Sequence, residues 1–119
     1  MKRLAYIYMG KRFAGILEEM ESGSFVFSYD IRYLKNSKNL PISLNLPIRE
    51  EAYVNEKLFP FFDGLIPEGW LLNIATKNWK LNPKDRMGLL LTTCQDCIGA
   101  VSVFETKQNF SPRGARNGK

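Results

Sequence analysis

Apolar and polar residues alternate with a period of two over the first thirty positions, as they do in half-buried β-strands. Residues 4–9 and 13–17 are rich in strand-forming side chains, and Gly10-Lys11 between them predicts a tight hairpin turn. A further turn at 22–24 leads into residues 25–29, whose aromatic side chains fall on one face of a strand. We therefore predict a three-stranded meander at the start of the chain.

The pattern is less regular between residues 30 and 47. Residues 30–39 predict an irregular segment or a single helical turn. Leu40–Leu46 alternates again and is bounded by Pro41 and Pro47, so we expect a further strand there.

The spacing of apolar residues then changes to that of a helix. One helical face is predicted by five residues spaced three and four apart, namely Leu58, Phe61, Phe62, Leu65 and Ile66. Because proline fits only in the first turn of a helix, Pro60 implies a start near Asn55 or Glu56. Pro67 should end or kink this helix, and a second helix is expected from Glu68 to Trp79.

A third helix start is predicted at Asn82-Pro83-Lys84-Asp85. Asn82 is suited to cap the helix, Pro83 to its first position, and Asp85 to the positive end of the helix dipole. The expected buried face of this helix consists of Met87, Leu90, Leu91 and Cys94. Alternation from Ile98 to Phe104 then predicts a closing strand.

The order of these elements, strands followed by helices and a final strand, predicts an α+β fold. We expect a small antiparallel β-sheet, made of the N-terminal meander plus the closing C-terminal strand and packed with about three helices. At 119 residues the chain is long enough for one domain with a single core. We assign residues 1–104 to that domain and residues 105–119 to a basic tail expected to be disordered.

The residues that most often perform catalysis are scarce. The chain has no histidine and no Gly-rich phosphate loop, which predicts that it is not an enzyme. Its two cysteines, Cys94 and Cys97, would need two further ligands to hold zinc, and only carboxylates could supply them. They also fall at the end of a helix rather than at its start, so we expect reduced structural thiols. We predict no catalytic residue, no metal and no cofactor.

The net charge of +5 is concentrated in the tail, which has four basic residues and one acidic residue. The body carries no evident cluster of Lys and Arg on one element, so direct nucleic-acid binding is not favoured. No apolar run is long enough to cross a membrane, and the N-terminal apolar stretch is too short for a signal peptide. We expect a cytoplasmic protein without membrane contact.

Three segments, in order, resemble the N-terminal subdomain of HipA-type serine/threonine kinase toxins. They are Pro41-Ile-Ser-Leu-Asn-Leu-Pro47, Phe61-Phe-Asp-Gly-Leu-Ile-Pro-Glu68 and the stretch from Leu89 to Val101. The opening hairpin also fits, and the resemblance covers about residues 3–104. The family usually has asparagine where Gly64 stands and glycine where Cys94 stands. The second difference implies that the turn before Asp96 need not adopt a positive φ.

The resemblance implies a function. The chain ends in a polar tail without the ATP-binding lobes of a HipA-type kinase, so it looks like a detached subdomain similar to the small HipS subunit of HipBST toxin–antitoxin systems. In such systems the small subunit is implied to bind and neutralise a HipA-like kinase, HipT, beside a HipB-like helix-turn-helix protein, so DNA would be contacted only indirectly. An activating or assembly subunit fits the same residues, and a piece of a longer kinase is a further alternative.

Five residues of the family motifs are the candidates for kinase binding: Trp70, Asp63, Glu68, Gly69 and Asp96. Trp70 could be an interface anchor, since tryptophan dominates binding hot spots, or it could pack on its own domain against Phe61 or Phe62. Asp63 and Glu68 are expected to accept hydrogen bonds from backbone donors at the helix junction, and Asp96 to cap the turn before the last strand, or some of them could face the kinase. The four residues expected in the core are Phe61, Phe62, Leu89 and Leu90.

Overall fold

A five-stranded antiparallel sheet organises the computed structural model, which describes residues 2–36, 38–69, 82–94 and 100–108. The order across the sheet is β4-β3-β2-β1-β5. The strands are β1 (Arg3–Met9), β2 (Arg12–Glu19), β3 (Phe25–Tyr29), β4 (Tyr53–Asn55) and β5 (Val101–Phe104). The helices are α1 (Ile31–Lys35), α2 (Pro60–Asp63) and α3 (Arg86–Thr93). The α+β fold is therefore confirmed, with the N-terminal meander and the closing strand β5 pairing at β1.

The meander depends on one close approach of backbones. Gly10 adopts a φ of 61° in the predicted hairpin turn, and an irregularity after Ile7 leaves Ala14 as an extra residue on β2. At the next position, a Cβ built on Gly15 would lie 2.2 Å from the Ser28 carbonyl oxygen of β3. Any side chain at Gly15 would therefore push β3 away from β2.

One face of the sheet carries the hydrophobic core. The buried residues alternate along β1, β2, β3 and β5, which is the signature of a sheet covered on that face. Helices α2 and α3 supply apolar side chains to the same core, and the Phe62 ring lies 5.5 Å from the ring of Phe27 on β3. Phe62, Leu89 and Leu90 are fully buried, as predicted from their spacing. Phe61 is only half-buried, with its ring edge-on to Phe62.

The start of α2 differs from the prediction. The expected first turn near Asn55 lies instead at the end of strand β4, and the helix begins at Pro60. Phe59 is extended, with a ψ of 137°, because the residue before a proline is excluded from the helical region. The helix also ends earlier than expected, since Gly64 is its C-cap and Pro67 lies beyond it. The helix predicted from Glu68 to Trp79 lies largely outside the described residues.

Residues 40–46 do not form the predicted strand. They form a loop that contains an isolated bridge between Ser43 and Leu46. The backbone groups of Ile42 and Leu46 bond to the side chain of Tyr29 instead of to a neighbouring strand. The alternation that suggested a strand arises because Ile42 and Leu46 are buried while Leu44 between them is exposed.

The cap of α3 also lies three residues later than predicted. Asp85, not Asn82, is the N-cap, and its carboxylate accepts a hydrogen bond from the Gly88 N–H at 3.1 Å. Asn82 forms the turn before the helix, where its side-chain oxygen accepts from the Lys84 N–H at 2.9 Å and its carbonyl from the Asp85 N–H. Pro83 therefore lies in this turn and not at the first helical position. The predicted buried face of α3 is confirmed for all four residues, Met87, Leu90, Leu91 and Cys94.

A charged network joins β1 and β2 to α3. The Arg3 guanidinium donates to Glu19 on β2, with Nε 2.5 Å from the carboxylate, and to both carboxylate oxygens of Asp85, at 2.6 and 3.0 Å. Gly88 leaves room for this arrangement, because a Cβ there would lie 2.4 Å from the Asp85 carboxylate. The Arg3 guanidinium holds the pKa of Asp85 below its usual range.

The first prediction concerns Asp85. Replacing it with alanine removes both the helix cap and the ion pair and should lower the free energy of unfolding by about 2 kcal/mol. Asp85→Asn keeps an oxygen that can cap the helix and should cost only about 0.5–1 kcal/mol. Urea denaturation measures both values. Glu21→Gln, at an exposed carboxylate in the β2–β3 turn, is the control for the loss of one negative charge.

The pH dependence of the same variants tests the charge directly. Because the folded-state pKa of Asp85 is lowered, its stabilisation is present above the unfolded-state pKa of about 3.9 and is lost as the pH falls through the folded-state pKa. The stability difference between the wild type and Asp85→Asn should therefore be constant near neutral pH and shrink below about pH 4. A difference that persists unchanged in acid would contradict the ion pair.

Candidate partner-binding surface

Three of the five predicted site residues lie together in the segment that starts at the last residue of α2. We call this segment, Asp63–Gly69, the corner. It is built from tight turns, since the Leu65 N–H donates to the Phe62 carbonyl and the Ile66 N–H to the Asp63 carbonyl. The buried side chain of Ile66 fixes the corner to the core, while Glu68 and Gly69 are exposed. The corner therefore presents polar groups on a backbone that the buried Ile66 side chain holds against the core.

Asp63 has a different partner from the one predicted. Its carboxylate accepts from the Arg86 Nε at 2.6 Å, and among the described residues no backbone N–H donates to it. This ion pair joins the end of α2 to the start of α3 across 23 residues. Both side chains are about two-fifths exposed, so the pair contributes little free energy but fixes the position of two charges at the surface. Sequence reasoning missed Arg86 because no local spacing links it to Asp63.

Glu68 and Gly69 have open surroundings. A Cβ built on Gly69 meets no atom within 4 Å, and Gly69 is not among the glycines with positive φ. Nothing in the fold of the described part therefore requires glycine at this position, and a role in binding stays a prediction for both residues. Trp70 and Asp96, the other two candidates, lie outside the described residues.

A buried thiol supports the corner from the side of α3. Cys94 is a free cysteine at the C-cap of α3, and its Sγ–H donates to the Leu65 carbonyl at 3.3 Å. Its φ is −110°, so the turn after α3 starts without a positive φ, as predicted from the replacement of the family's glycine. Cys94 thus has the structural role that we expected, and Cys97 lies outside the described residues.

A second surface feature was not predicted. The loop of residues 40–47, which we call the proline loop, is held by the hydroxyl of Tyr29: this hydroxyl donates to the Leu46 carbonyl and accepts from the Ile42 N–H at 3.0 Å. The Tyr53 hydroxyl holds the end of the same loop by donating to the Pro47 carbonyl at 2.6 Å. Two tyrosine hydroxyls from the sheet therefore fix the backbone of the proline loop.

The fixed backbone projects an apolar side chain into solvent. Leu44 is 93% exposed at the tip of the proline loop, and Leu40 at its start is 70% exposed. Exposed leucines are common on surfaces, but one held on a rigid loop loses little conformational freedom on binding. The sequence signal was the serine and asparagine on either side of Leu44, which are turn residues and argue against a strand.

Burial changes the acidity of the Tyr29 hydroxyl that holds this loop. Desolvation of the phenolate raises the pKa of Tyr29 to about 12, since an anion would lose its hydration among apolar neighbours. Tyr29 therefore remains a hydrogen-bond donor across the physiological range. The protonated hydroxyl of Tyr29 makes its full contribution to the free energy of unfolding below the unfolded-state pKa of about 10. This contribution is lost as the pH rises through the folded-state pKa of about 12.

The sequence matches the HipA N-terminal domain family over residues 5–104. The chain belongs to the HipA N-terminal domain family. The match includes the proline loop, the corner and α3, which overlap the three segments that carried the resemblance in the sequence. The family assignment inferred from those motifs is thus confirmed, over almost the same residues.

Similar proteins include both separate and longer chains. An uncharacterized protein of Haemophilus influenzae is 33% identical over 106 residues, which span 89% of this chain and 95% of that relative. "Putative kinase Y4mE" of Sinorhizobium fredii is 26% identical over 106 residues, but the match spans only 25% of its length. A solved structure of the N-terminal domain of HipA toxin superposes with a TM-score of 0.67 at 27% identity, covering 92% of this chain and 97% of that one.

The described part of the chain shows neither a metal site nor a membrane-spanning helix. Within residues 2–36, 38–69, 82–94 and 100–108, no three thiol or carboxylate side chains come together in a way that could hold a metal ion. None of the helices described is long and apolar enough to cross a membrane.

The second prediction concerns the hydroxyl of Tyr29. Tyr29→Phe keeps the ring contacts with Phe27 and Tyr33 but leaves the Ile42 N–H and the Leu46 carbonyl without their partner. The free energy of unfolding should fall by about 1–3 kcal/mol, because these groups are buried. Urea denaturation measures the loss, and hydrogen exchange at the Ile42 amide should accelerate.

Tyr53→Phe is the matched control, because it removes the same group from an exposed position that bonds to the same loop. It should cost less than about 1 kcal/mol. Equal losses in the two variants, or unchanged exchange at Ile42, would contradict the role assigned to Tyr29.

Proposed function

We propose that this protein is an antitoxin subunit that binds and neutralises a separate HipA-like serine/threonine kinase toxin of the HipT type. The observation that carries the proposal is the likeness to nearly the whole of the N-terminal domain of HipA toxin, 97% of which is covered. The domain offers protein surfaces for docking, so the proposed action is binding without chemistry and without a cofactor.

The proposed mechanism is steric. The domain would dock on the kinase where the covalent domain packs in longer homologues, and from there it would restrain closure of the kinase lobes or access to the nucleotide cleft. Phosphoryl transfer depends on correctly positioned lobes, loops and metal-bound phosphates. A rigid domain that prevents closure can therefore inhibit a kinase without contributing a catalytic group.

The corner is the first candidate contact. Asp63 and Arg86 set opposite charges side by side on its surface, and Glu68 adds an exposed carboxylate next to Gly69. Trp70 follows directly in the sequence, and a tryptophan beside exposed polar residues has the composition of an interface hot spot with a polar rim. We assign kinase contact to Trp70, Asp63, Glu68 and Gly69, and extend it to Asp96 through the family motif alone.

Leu44 is the second candidate contact. Its side chain is almost fully exposed, and the Tyr29 and Tyr53 hydroxyls hold the loop that carries it. An apolar group presented on a fixed backbone can enter a pocket on a partner at little cost in conformational entropy. We propose that Leu44 inserts into an apolar depression of the kinase.

A second candidate function is that of an assembly or activating subunit. The relative "Putative kinase Y4mE" favours it, because the segment that matches this chain is there a quarter of a longer protein named as a kinase. A separate copy could complete the N-terminal region of a kinase that lacks it, or bridge that kinase to a HipB-like DNA-binding protein. The two functions use the same surfaces and differ in the sign of their effect on the kinase.

The third prediction distinguishes these functions. Cells that express a HipT-like kinase from the same organism should stop growing, and co-expression of this chain should restore growth and suppress kinase autophosphorylation. Co-purification of the two proteins measures the complex. Unchanged or deeper arrest despite a stable complex would indicate the assembly or activating function, and absence of a complex would show that the likeness extends to the fold only.

Trp70→Ala tests the corner in the same assays. If Trp70 is an interface anchor, the variant should lose neutralisation and complex formation while its melting temperature stays nearly unchanged. Unfolding of the variant would instead show that Trp70 packs on its own domain.

The fourth prediction concerns Leu44. Leu44→Ser should weaken the complex by about 1–2 kcal/mol, while the free energy of unfolding of the isolated domain changes by less than about 0.5 kcal/mol. Isothermal titration calorimetry against the kinase and urea denaturation measure the two quantities. Val54→Thr, at an apolar side chain of β4 that is 69% exposed, is the matched control and should leave both unchanged. Equal effects of the two substitutions would contradict a specific role for Leu44.

A further inference from the structure

A cleft lies between the start of β2, α1 and the segment after β5. Its volume is about 350 Å³. Three cationic side chains line it, Arg12 from β2, Arg32 from α1 and Lys107 from the segment after β5. We call it the cationic cleft. It was not predicted, because its charges are separated by 20 and 75 positions in the sequence and only the fold brings them together.

The described residues do not balance the charges of the cationic cleft. Asp30 is the one carboxylate among the described residues that line it, and its oxygen already accepts from the Arg32 N–H at 3.1 Å as the cap of α1. Among the residues that the structure describes, no carboxylate lies within ion-pair distance of the Arg12, Arg32 or Lys107 side chains. By contrast, Arg3 and Arg86 both have carboxylate partners. The cleft therefore carries an excess of two positive charges.

Two of the cations are held in place. An Arg12 terminal nitrogen donates to the side-chain oxygen of Asn39, and the Asn39 side-chain nitrogen donates to the Tyr33 carbonyl of α1 at 3.1 Å. The Lys107 ammonium lies 5.2 Å from the centre of the Phe13 ring, within the range of a cation–π interaction. These contacts use only part of the donor capacity of each cation, because a guanidinium has five N–H groups and an ammonium three. Among the described residues no other acceptor binds the remaining donors of Arg12 and Lys107, so these donors are open to a ligand.

We propose that the cationic cleft binds a phosphate monoester group. At neutral pH such a group carries a charge close to −2 and has three acceptor oxygens, which matches the excess charge and the free donors of the cleft. An arginine fork can bind two of these oxygens at once, and Lys107 can supply a third contact as a point charge. Duplex nucleic acid fits less well, because it requires cations spread along a track rather than gathered in one cleft.

The proposal is independent of the antitoxin function. A phosphorylated side chain of a partner protein and a small phosphorylated metabolite present the same group, and the cleft recognises that group in either case. Failure of kinase neutralisation would leave phosphate binding unaffected, and absence of phosphate binding would not change the outcome of the growth assay.

The test is a titration of the full chain, labelled with ¹⁵N, with inorganic phosphate at pH 7.5 and constant ionic strength. The NMR chemical-shift changes should saturate with phosphate concentration. They should be confined to residues that line the cleft, including the Arg12 side chain. Arg12→Gln should weaken binding at least about tenfold, as expected for lost charge-assisted hydrogen bonds. Asp30→Asn, which retains an oxygen suited to the cap, should strengthen binding roughly threefold.

Lys11→Gln is the matched control, since it removes one exposed positive charge next to Arg12 but outside the cleft. Its affinity should stay within about twofold of the wild type. Chemical-shift changes that rise linearly with phosphate concentration, without saturation, would overturn the proposal. An equal loss of phosphate affinity in Lys11→Gln and Arg12→Gln would also overturn it. If Arg12→Gln fails to fold, Arg32→Gln on the exposed face of α1 provides the same test.

Three ligands distinguish the sources of the phosphate group. Tighter binding of a short phosphoserine peptide than of inorganic phosphate supports a phosphorylated protein as the natural ligand. Tighter binding of AMP than of inorganic phosphate supports a nucleotide as the natural ligand. Equal affinity for all three ligands indicates that the cleft recognises the phosphate group alone. Binding of an aspartate peptide as tightly as the phosphoserine peptide would overturn the assignment of a phosphate monoester.

Discussion

The position of α3 on the sheet depends on one arginine. Hydrophobic burial drives α3 onto the sheet, but burial has no direction and would tolerate several placements of a helix rich in leucine. The Arg3 guanidinium removes that freedom, because it binds Glu19 beside it on the sheet and the Asp85 cap of α3 together. Asp85 in turn fixes the first turn of α3 through the Gly88 N–H. Once α3 is placed, Arg86 at its start and Cys94 at its C-cap bond to the corner, at the Asp63 carboxylate and the Leu65 carbonyl.

Sequence patterns predicted the elements whose apolar spacing is maintained by burial in the core. The meander was predicted because alternation over β1 to β3 coincides with a glycine turn, and the buried face of α3 because four apolar residues share one side. β4 escaped prediction, since three residues with half-exposed side chains carry too little pattern. The helix after it, α2, was predicted to begin too early because apolar periodicity cannot detect the constraint that Pro60 places on Phe59.

The proline loop shows why alternation alone can mislead. Ile42 and Leu46 are buried and Leu44 is exposed, which is also what a strand would produce. The backbone groups of this segment are satisfied by the Tyr29 hydroxyl, a partner distant in sequence that no local pattern reveals. For the same reason the motifs pointed to Asp63 and Glu68 but not to Arg86, the partner of Asp63, since an ion pair across 23 residues depends on tertiary structure.

Besides the corner, the domain carries two surfaces of different chemistry, the proline loop and the cationic cleft, and this difference bears on how it would recognise a partner. Leu44 offers apolar contact on a fixed loop, which gives affinity with little discrimination, because many partners have apolar depressions. The cationic cleft offers an excess of positive charge with held donors, which discriminates strongly because an unpaired cation in a closed interface is costly. Some partners would present an apolar pocket but no anion. If the interface with such a partner buried cations of the cleft, these cations would have no counter-charge. A phosphate group on the partner would supply the negative charge that the cationic cleft lacks, and the unphosphorylated partner would not. The cleft can therefore favour the phosphorylated state of a protein partner over the unphosphorylated state.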